Sequence, residues 1–456
     1  MSIPLPENVI SIIDRLGAAG YEAYAVGGCV RDALLGRTPE DWDICTSALP
    51  QQVMACFPRC KIHTVGLKHG TVLLMLDGRG YEITTYRTDG PYHDHRHPDG
   101  VQFVRSLEED LARRDFTINA MAYHPVRGLA DPFGGQADLA AGVVHCVGEP
   151  ARRFQEDGLR ILRGLRFASR YGFQIEPQTG AAIRQQAELL QFVSGERIFT
   201  ELKGFLAGKG AGQLLLDYRE PFGAVMPELV PMFDHPQHNP HHCYDVWGHT
   251  CHAVGQVAGD PLLGLTMLLH DAGKPRCFSR DENGVGHFHG HPAESVKIAS
   301  DILARFHCDN RSRDTILTLI AWHDRVRVFT RRSVRRMLAS LGEENARLLF
   351  RVMYADAMAQ SPATLPQKLD GLAEGERILE ELLAEDACFT LKDLAVSGKD
   401  LLALGYPAGP ELGAALNALL DAVVEERLPN QRQALLDALP SLEQGGQSHR
   451  NRNKGQ

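Results

Sequence analysis

The sequence lacks any uninterrupted apolar run as long as the roughly 20 residues that a transmembrane helix needs. Its first residues also lack the apolar h-region of a secretory signal peptide. The ten cysteines are scattered without a CxxC pair, and Cys56 and Cys60 come nearest to a metal-ligand spacing. This pattern is typical of buried thiols in a reducing compartment. We therefore expect a cytoplasmic protein that does not contact a membrane.

Acidic residues outnumber basic ones, and the formal net charge is −9. A net charge averages over domains, however, and 456 residues are enough for about two to four of them. Arginine is locally dense in residues 152–170, at positions Arg152, Arg153, Arg160, Arg163, Arg166 and Arg170. Such a stripe can hold a phosphate backbone, although a solvated helix face would give the same pattern.

The order of local patterns predicts an α+β protein. Residues 8–20 have the apolar spacing of an amphipathic helix, and short β-rich runs follow up to about residue 145. The predicted strands are 24–26, 42–45, 71–76, 81–85 and 101–104. The polar stretch 87–100 is expected to be a loop. From Glu149 the pattern is helical, five prolines mark a boundary at 220–242, and the polar residues after 443 are expected to be disordered.

The most informative motif begins at a glycine pair, Gly27 and Gly28, and continues through Arg31 to Asp41 and Asp43. Glycines let backbone amides approach a phosphate closely. On a strand, residues i and i+2 share a face, so both carboxylates would point at one spot and attract a hard cation such as Mg²⁺. The two aspartates alone also fit a glycine-rich turn with two solvated acids. The complete motif from Gly27 to Asp43 favours metal-assisted attack on a nucleotide phosphate.

Two further motifs add candidate residues. In residues 113–121, Arg114 could hold a triphosphate, and Asp115 or Asn119 could brace the loop. Glu82, in a predicted strand, is a candidate third catalytic carboxylate, although an exposed strand acid is an equally good interpretation.

A third motif contains Asp157, Arg160 and Arg163, which recur at helical i+3 spacing and should line one face. In a carboxylate–guanidinium pair, the carboxylate can accept from an exocyclic amino group and the guanidinium can donate to a ring acceptor, which selects C and A over U and G. A simple i,i+3 salt bridge would give the same spacing.

Together these motifs resemble class II tRNA nucleotidyltransferases, the superfamily of CCA-adding enzymes and bacterial poly(A) polymerases. The matching elements, in family order, are GGCVRD at 27–32, DWD at 41–43, RRDFTINAM at 113–121, EDGLR at 156–160 and SGERI at 194–198 with Glu201. The resemblance implies a nucleotidyltransferase head with a small mixed sheet over 1–145, followed by all-α parts. These would be a neck at 146–220 that binds the nucleotide base and tRNA, a body at 221–360 and a tail at 361–442, before the disordered 443–456.

The resemblance also implies roles for individual residues. Asp41 and Asp43 would bind catalytic Mg²⁺, with Glu82 as the third catalytic candidate. The nucleotide-binding candidates are Gly28, Arg31, Arg114, Asp157, Arg160, Arg163 and Arg166. The last motif, around Glu201, would stabilise the helix behind the base-reading residues.

A second set of metal-ligand residues follows the proline-rich boundary. Adjacent His270 and Asp271, after an apolar helical run, can supply a nitrogen and an oxygen to one metal ion. This part of the chain resembles an HD domain, a metal-dependent phosphohydrolase fold. The resemblance implies His249, His270, Asp271 and Asp356 as ligands of one metal, with His291 and His323 matching the extra histidines of two-metal sites. The alternative is a helical body that kept a few histidines.

These observations lead to one functional hypothesis and its rivals. We expect addition of CCA to tRNA from CTP and ATP in the presence of Mg²⁺, without a nucleic-acid template. A transition metal (Mn, Ni, Co, Fe or Zn) is expected in the HD site, with a phosphohydrolase activity there as a further hypothesis. A poly(A) polymerase or an enzyme that adds only CC or A is the rival within the class. An HD nucleotide phosphohydrolase with a binding-only head is the rival from another class. The sequence makes no prediction about oligomeric state.

Overall fold

The computed structural model describes residues 3–64, 66–90, 100–326, 328–385 and 389–440. The chain forms two compact units. The first unit contains Met1–Pro231, Ala258–Gly264 and Ile302–Cys308, and the second contains Met232–Val257, Leu265–Asp301 and Asp309–Gln456.

A seven-stranded mixed sheet dominates the N-terminal part of the first unit. The strands up to residue 175 are β1 Ala23–Val26, β2 Ile44–Thr46, β3 Lys61–His63, β4 Thr71–Leu76, β5 Arg79–Thr85, β6 Arg87–Asp89, β7 Val101–Phe103, β8 Ala122–His124, β9 Gly128–Ala130, β10 Val143–Val144 and β11 Gln174–Ile175. The sheet has the order β3-β4-β5-β2-β1-β8-β9. Strands β2 and β5 pair in parallel, and the other neighbouring pairs of the described sheet are antiparallel.

Helices make up most of the remaining described chain, as the α+β interpretation predicts. They are α1 Glu7–Ala18, α2 Gly28–Leu34, α3 Pro50–Cys56, α4 Leu107–Ala112, α5 Gly135–Ala141, α6 Pro150–Glu156, α7 Leu159–Tyr171, α8 Pro177–Gln185, α9 Gly195–Leu206, α10 Ala211–Asp217, α11 Arg219–Val225, α12 Val246–Gln256, α13 Pro261–Leu269, α14 His291–Arg305, α15 Asn310–Trp322, α16 Arg331–Met358, α17 Leu365–Ala384, α18 Gly398–Ala403 and α19 Pro410–Val424. Within the described ranges, no helix combines the length and apolar character that a membrane crossing requires.

The strand predictions agree closely with the structure except at the two acids. Strand β4 has the predicted bounds, but β2 starts at Ile44 and not at residue 42. Asp41 and Asp43 therefore precede the strand, so the expectation that they lie on a strand face is wrong. The Asp43 carbonyl still accepts a hydrogen bond from the backbone N–H of Val26 at 3.0 Å. Aspartate is disfavoured in strands, and the chain enters the sheet only where apolar residues begin.

The polar stretch 87–100 is not a loop throughout. Its first residues form β6, which pairs antiparallel with β7 through Arg87 with Phe103 and Asp89 with Val101. Local composition did not reveal this pairing because the partner strand lies more than ten residues away in sequence. The centre of the predicted loop, 91–99, lies outside the described residues, as does the predicted disordered segment 443–456.

The helix predicted to carry the third motif is interrupted. Helix α6 ends at Glu156, Asp157 has extended backbone angles (φ −143°, ψ 107°), and α7 begins at Leu159. Asp157 is therefore not on the helix face with Arg160 and Arg163. The next residue, Gly158, packs against the backbone of Leu189, since a Cβ there would lie 2.8 Å from the Leu189 carbonyl oxygen.

Close backbone packing inside the first unit yields a stability prediction. A Cβ at Gly135, the first residue of α5, would lie 2.2 Å from the carbonyl oxygen of Thr117. Gly135→Ala should therefore destabilise the first unit by about 1–3 kcal/mol, the usual cost of overpacking. Gly17→Ala is the control, since a Cβ at Gly17 meets no atom within 4 Å; it should be neutral or stabilise by up to about 1 kcal/mol. Thermal denaturation of both variants checks the difference, and equal midpoints would contradict it.

Candidate active site and metal centre

The glycine turn after β1 packs directly against an arginine of the second motif. Gly27 has a φ of +81°, which favours glycine, and α2 begins at Gly28. A Cβ at Gly27 would lie 2.8 Å from Nη1 of Arg114. The Nε of Arg114 is buried without a hydrogen-bond partner, and its Nη2 lies 3.5 Å from Asp110. Arg114 therefore stands beside the turn with unused donor capacity.

Parallel pairing of two strands brings two acids side by side. Ile44 of β2 is opposite Ile83 of β5, so the preceding residues, Asp43 and Glu82, are neighbours at the sheet surface. Burial and then the charge of Glu82 raise the pKa of Asp43 to about 6, with Asp41 adding to the effect and Arg114 opposing it. Asp43 is also solvent-exposed by area. Both observations fit a carboxylate in an open depression, where the local negative charge favours a cation.

The carboxylates of Asp41, Asp43 and Glu82 do not lie within one tight ligand group. Among the described residues, two groups bring three or more candidate ligand atoms within 4.8 Å of one another, and both lie in the second unit. Asp41, Asp43 and Glu82 do not form such a group. The all-oxygen donor set nevertheless fits a hard divalent ion such as Mg²⁺, which keeps several water ligands of its own.

Arg31 is enclosed by protein groups. Its Nε donates to Asp32 at 2.9 Å and its Nη1 to Asn119 at 2.5 Å, and its side chain is 7% exposed. The guanidinium also faces the rings of Phe167 and Tyr171, each at 5.0 Å. Arg31 therefore fastens α2 to α7, and Arg114 is better placed to meet a phosphate.

Asp115 is the buried centre of this region. Burial raises its pKa, but the charge of Arg163, the Asn119 hydrogen bond and the charge of Arg160 outweigh that effect and hold the pKa well below its usual range. Arg163 contacts Oδ2 of Asp115 through Nε at 2.8 Å and Nη2 at 2.6 Å. The hypothesis that Asp115 or Asn119 braces the loop agrees with these contacts.

The three residues of the third motif have separate partners. Asp157 pairs with Arg197 at 2.8 Å, and Arg160 pairs with Glu156 at 2.7 Å and is mostly buried. The simple i,i+3 salt bridge between Asp157 and Arg160 is therefore not the arrangement seen. Arg163 is the most exposed of the set, with 34% of its side chain open.

The 194–201 motif supports this region from behind. Arg197 holds Asp157, and Glu201 holds Arg166 through Nε and approaches Arg163 at 3.8 Å. Sequence analysis missed the contact of the Tyr171 hydroxyl with Asp32 at 2.8 Å. A tyrosine at the end of a basic helix gave no local signal of it.

The predicted metal ligands of the second unit converge into two groups that share one carboxylate. The first group is His249, His270, Asp271 and Asp356, and the second is Asp271, His291 and His323. Oδ2 of Asp271 lies 3.2 Å from His270 Nε2, and Oδ1 lies 3.3 Å from His291 Nε2. Both oxygens are buried without a hydrogen bond of good geometry, although Lys274 Nζ is 2.7 Å from Oδ2. Each group could hold a metal ion, and Asp271 belongs to both groups.

Backbone carbonyls orient the four histidines. The Nδ1 atoms of His249, His270, His291 and His323 lie 3.1, 2.6, 2.8 and 2.7 Å from the carbonyl oxygens of Ala359, Met267, Phe288 and Ile320. An Nδ1–H that donates to a carbonyl leaves Nε2 as the free acceptor, which is the tautomer that a metal ion needs. The Nε2 atoms of His249 and His270 are 3.3 Å apart, and those of His291 and His323 are 3.2 Å apart.

A cavity of about 790 Å³ opens onto these groups. Its lining includes Asp271, Lys274, His291, Asp356 and Lys368. Gln360 donates to Asp356 at 2.6 Å and accepts a hydrogen bond from Lys368. Charges of both signs therefore line the cavity, with Lys274 and Lys368 beside the acids Asp271, Asp324, Asp356 and Glu374.

His242, to which the sequence analysis assigned no role, also lines this cavity. Its ring is 5.3 Å from that of His249, and burial lowers its pKa to about 3. Sequence analysis also assigned no role to Lys274, Gln360 or Lys368. Lys274 had a local signal, its i+3 spacing from Asp271, whereas Gln360 and Lys368 reach the cavity only through tertiary packing.

Comparison with protein families covers most of the chain. Residues 23–145 match the model described as "Poly A polymerase head domain", and residues 172–229 match "Probable RNA and SrmB- binding site of polymerase A". Residues 294–439 match a model of tRNA nucleotidyltransferase domain 2. None of these three models is an HD phosphohydrolase model.

Individual relatives agree with the family models. A CCA-adding enzyme of Geobacillus stearothermophilus is 35% identical over 438 residues, which are 94% of this chain and 95% of that protein. One from Geobacillus thermodenitrificans is 51% identical over 209 residues, 46% of this chain and 51% of that protein.

Solved structures have the same fold. The Bacillus stearothermophilus CCA-adding enzyme in complex with CTP superposes with a TM-score of 0.69 at 31% identity, over 97% of this chain and 98% of that one. The Thermotoga maritima CCA-adding enzyme complexed with tRNA has a TM-score of 0.60 at 19% identity, over 96% and 97% of the two chains, and shows the fold alone. The motifs, the mixed sheet and these full-length similarities together show that the chain belongs to the family of CCA-adding enzymes, which are nucleotidyltransferases.

Proposed function

We propose that this chain adds C, C and A to the 3′ end of tRNA in the cytoplasm, using CTP and ATP and no nucleic-acid template. The observation that carries the proposal is the convergence of Asp43 and Glu82 beside the Gly27 turn and Arg114. The full-length relatives named above are CCA-adding enzymes, which disfavours a poly(A) polymerase or an enzyme that adds only part of CCA. Extension of a tRNA that lacks its 3′ CCA, with CTP and ATP supplied singly and together, tests it.

The chemistry requires a cation at the head carboxylates. We assign Asp41 and Asp43 as Mg²⁺ ligands, with Glu82 as the neighbouring acid that increases the demand for positive charge. Mg²⁺ at this position would favour ionisation of the tRNA 3′-hydroxyl and stabilise the leaving pyrophosphate. Arg114 supplies positive charge to the triphosphate at the Gly27–Gly28 turn.

We assign recognition of the nucleotide base to the residues at the beginning of α7. Asp157 and the arginines 160, 163 and 166 provide acceptors and donors that suit C and A. Asp157 is held by Arg197, and Arg163 is the most exposed of the arginines, so these two have the best access to a base. The neck of the protein, 146–220, would then bind the base and the tRNA acceptor end, next to a catalytic head at 1–145.

The body of the protein, which we assign to 221–360, would carry a second metal-dependent site, with the tail at 361–442. Mixed nitrogen and oxygen ligands suit Mn, Fe, Co, Ni or Zn better than Mg²⁺. The cavity with Lys274 and Lys368 supports an anionic substrate, which is consistent with a phosphohydrolase. The rival in which the head is only a binding module is disfavoured, because Asp41, Asp43 and Glu82 are all present.

Loss of a head carboxylate should stop nucleotide addition. Asp41→Ala or Asp43→Ala should reduce nucleotide incorporation by several orders of magnitude while tRNA binding persists. Without this ligand, no metal ion would stabilise the negative charge that develops during phosphoryl transfer. Glu40→Ala is the matched control, since Glu40 is an exposed acid next to the motif. Single-turnover incorporation and a filter-binding assay measure the two properties, and near-normal incorporation by either variant would remove the metal assignment.

Loss of Asp157 should relax base choice. A good bidentate base contact discriminates by about 1–3 kcal/mol, so Asp157→Ala should raise UTP incorporation relative to CTP by roughly tenfold to a hundredfold. Arg160→Ala should act in the same direction. Arg152→Ala, which removes an exposed arginine with a long 3.5 Å contact to Glu156, should leave the ratio unchanged. A uniform loss for all four nucleotides would mean that Asp157 supports the helix without reading the base.

The metal site of the second unit should be separable from nucleotide addition. The double change His270→Ala with Asp271→Ala should remove bound transition metal and any phosphatase or phosphodiesterase activity, while CCA addition in Mg²⁺ continues. His252→Ala, on the same helix as His249 but outside both ligand groups, is the control. Metal analysis after reconstitution measures occupancy. Failure of the wild-type protein to bind transition metal would contradict the assignment.

A further inference from the structure

We propose that Asn119 is a positioning residue that fixes the orientation of Arg163 relative to the glycine turn and Arg31. This inference rests on the proposed base-reading role of α7. It assigns base selectivity to a residue that would touch neither the base nor the triphosphate.

The side chain of Asn119 connects two charged groups of opposite sign. Its Oδ1 accepts from Nη1 of Arg31 at 2.5 Å, and its Nδ2 donates to Oδ1 of Asp115 at 3.0 Å. Asn119 and Arg31 are each only 6% exposed and Asp115 is 8% exposed. In this enclosed position, an amide can accept from a cation on one side and donate to an anion on the other, which a carboxylate or an apolar side chain cannot do.

The connection continues from Asp115 to Arg163. Oδ1 of Asp115 also accepts from the backbone N–H of Phe116 at 2.8 Å, and Oδ2 receives Arg163. The carboxylate is therefore held on both oxygens, and Asn119 shares Oδ1 with the backbone N–H of Phe116. Glu201 is farther from Arg163, at 3.8 Å. Arg163 also lies over the Phe167 ring at 5.5 Å, but its closest charged partner is Asp115 at 2.6 Å.

Docking of α2 on α7 does not depend on Asn119 alone. Arg31 also stacks against Phe167 and Tyr171, and the Tyr171 hydroxyl donates to Asp32 at 2.8 Å. Removal of the Asn119 amide should leave these contacts in place. The expected consequence is a looser Arg163 and a less selective site, with the two helices still packed together.

The experiment compares four variants of the full chain in single-nucleotide incorporation on tRNA that lacks CCA. Asn119→Ala removes both hydrogen bonds. Asn119→Asp keeps the size and the acceptor for Arg31 but replaces the donor to Asp115 with a carboxylate, so it breaks only the Asp115 side of the connection; thermal denaturation of both Asn119 variants shows whether they are folded. Arg163→Ala tests the base-reading role itself. Ser169→Ala is the control on the same helix, because it removes a buried hydrogen bond to the Phe205 carbonyl (2.7 Å) outside the network.

Asn119→Ala and Asn119→Asp should each raise the ratio of UTP to CTP incorporation by roughly tenfold, the lower end of what a lost bidentate base contact gives. Arg163→Ala should raise it at least as much, and Ser169→Ala should lower thermal stability without changing the ratio. If Arg163→Ala relaxes base choice but both Asn119 variants keep it, the positioning role is wrong and base reading by Arg163 stands. An unchanged ratio in Arg163→Ala would overturn both ideas, and an equal rise in Ser169→Ala would show that any loosening of α7 is sufficient.

Discussion

The ion pair between Asp115 and Arg163 joins the catalytic sheet region to α7. Burial of an unpaired carboxylate is costly, so the chain must surround Asp115 with donors. Asn119, the backbone of Phe116 and Arg163 supply them. Because these donors come from the turn after α4 and from α7, one buried charge links α7 to that turn, beside the contacts of Arg31 with Phe167 and Tyr171. Breaking such a pair typically costs about 3–5 kcal/mol, because one charge remains buried alone.

Three buried or crowded carboxylates differ in how the protein meets their negative charge. Asp115 is satisfied by protein cations and amides, and its pKa is held low. Asp271 is surrounded by four histidine Nε2 atoms, and Lys274 Nζ lies 2.7 Å from its Oδ2. Burial raises the pKa of Asp271, but the charges of His270 and Lys274 outweigh that effect and hold it well below its usual range. Asp43 differs from both, because it lies beside Glu82 and its pKa is raised.

The sequence predicted correctly those features that depend on residue type. Its predictions were wrong where the outcome depends on backbone conformation or on strand pairing. The candidate metal ligands of the second unit lie close together, as the resemblance to an HD domain implied. The prediction of one helix face with Asp157, Arg160 and Arg163 is wrong at Asp157, because the backbone is extended there and α7 begins only at Leu159. The prediction of a loop over 87–100 is wrong at its first residues, because β6 pairs with β7 across the intervening residues.

The sequence by itself determined the family, the mixed α+β class and the residue types of both sites, since each follows from motifs read along the chain. Only the tertiary structure decided how those residues are used. Parallel pairing of β2 with β5 places Glu82 beside Asp43, Arg31 lies over the rings of Phe167 and Tyr171, and α17 brings Lys368 to the cavity of the second unit. These outcomes depend on contacts between residues far apart in sequence, and local patterns carry no information about such contacts.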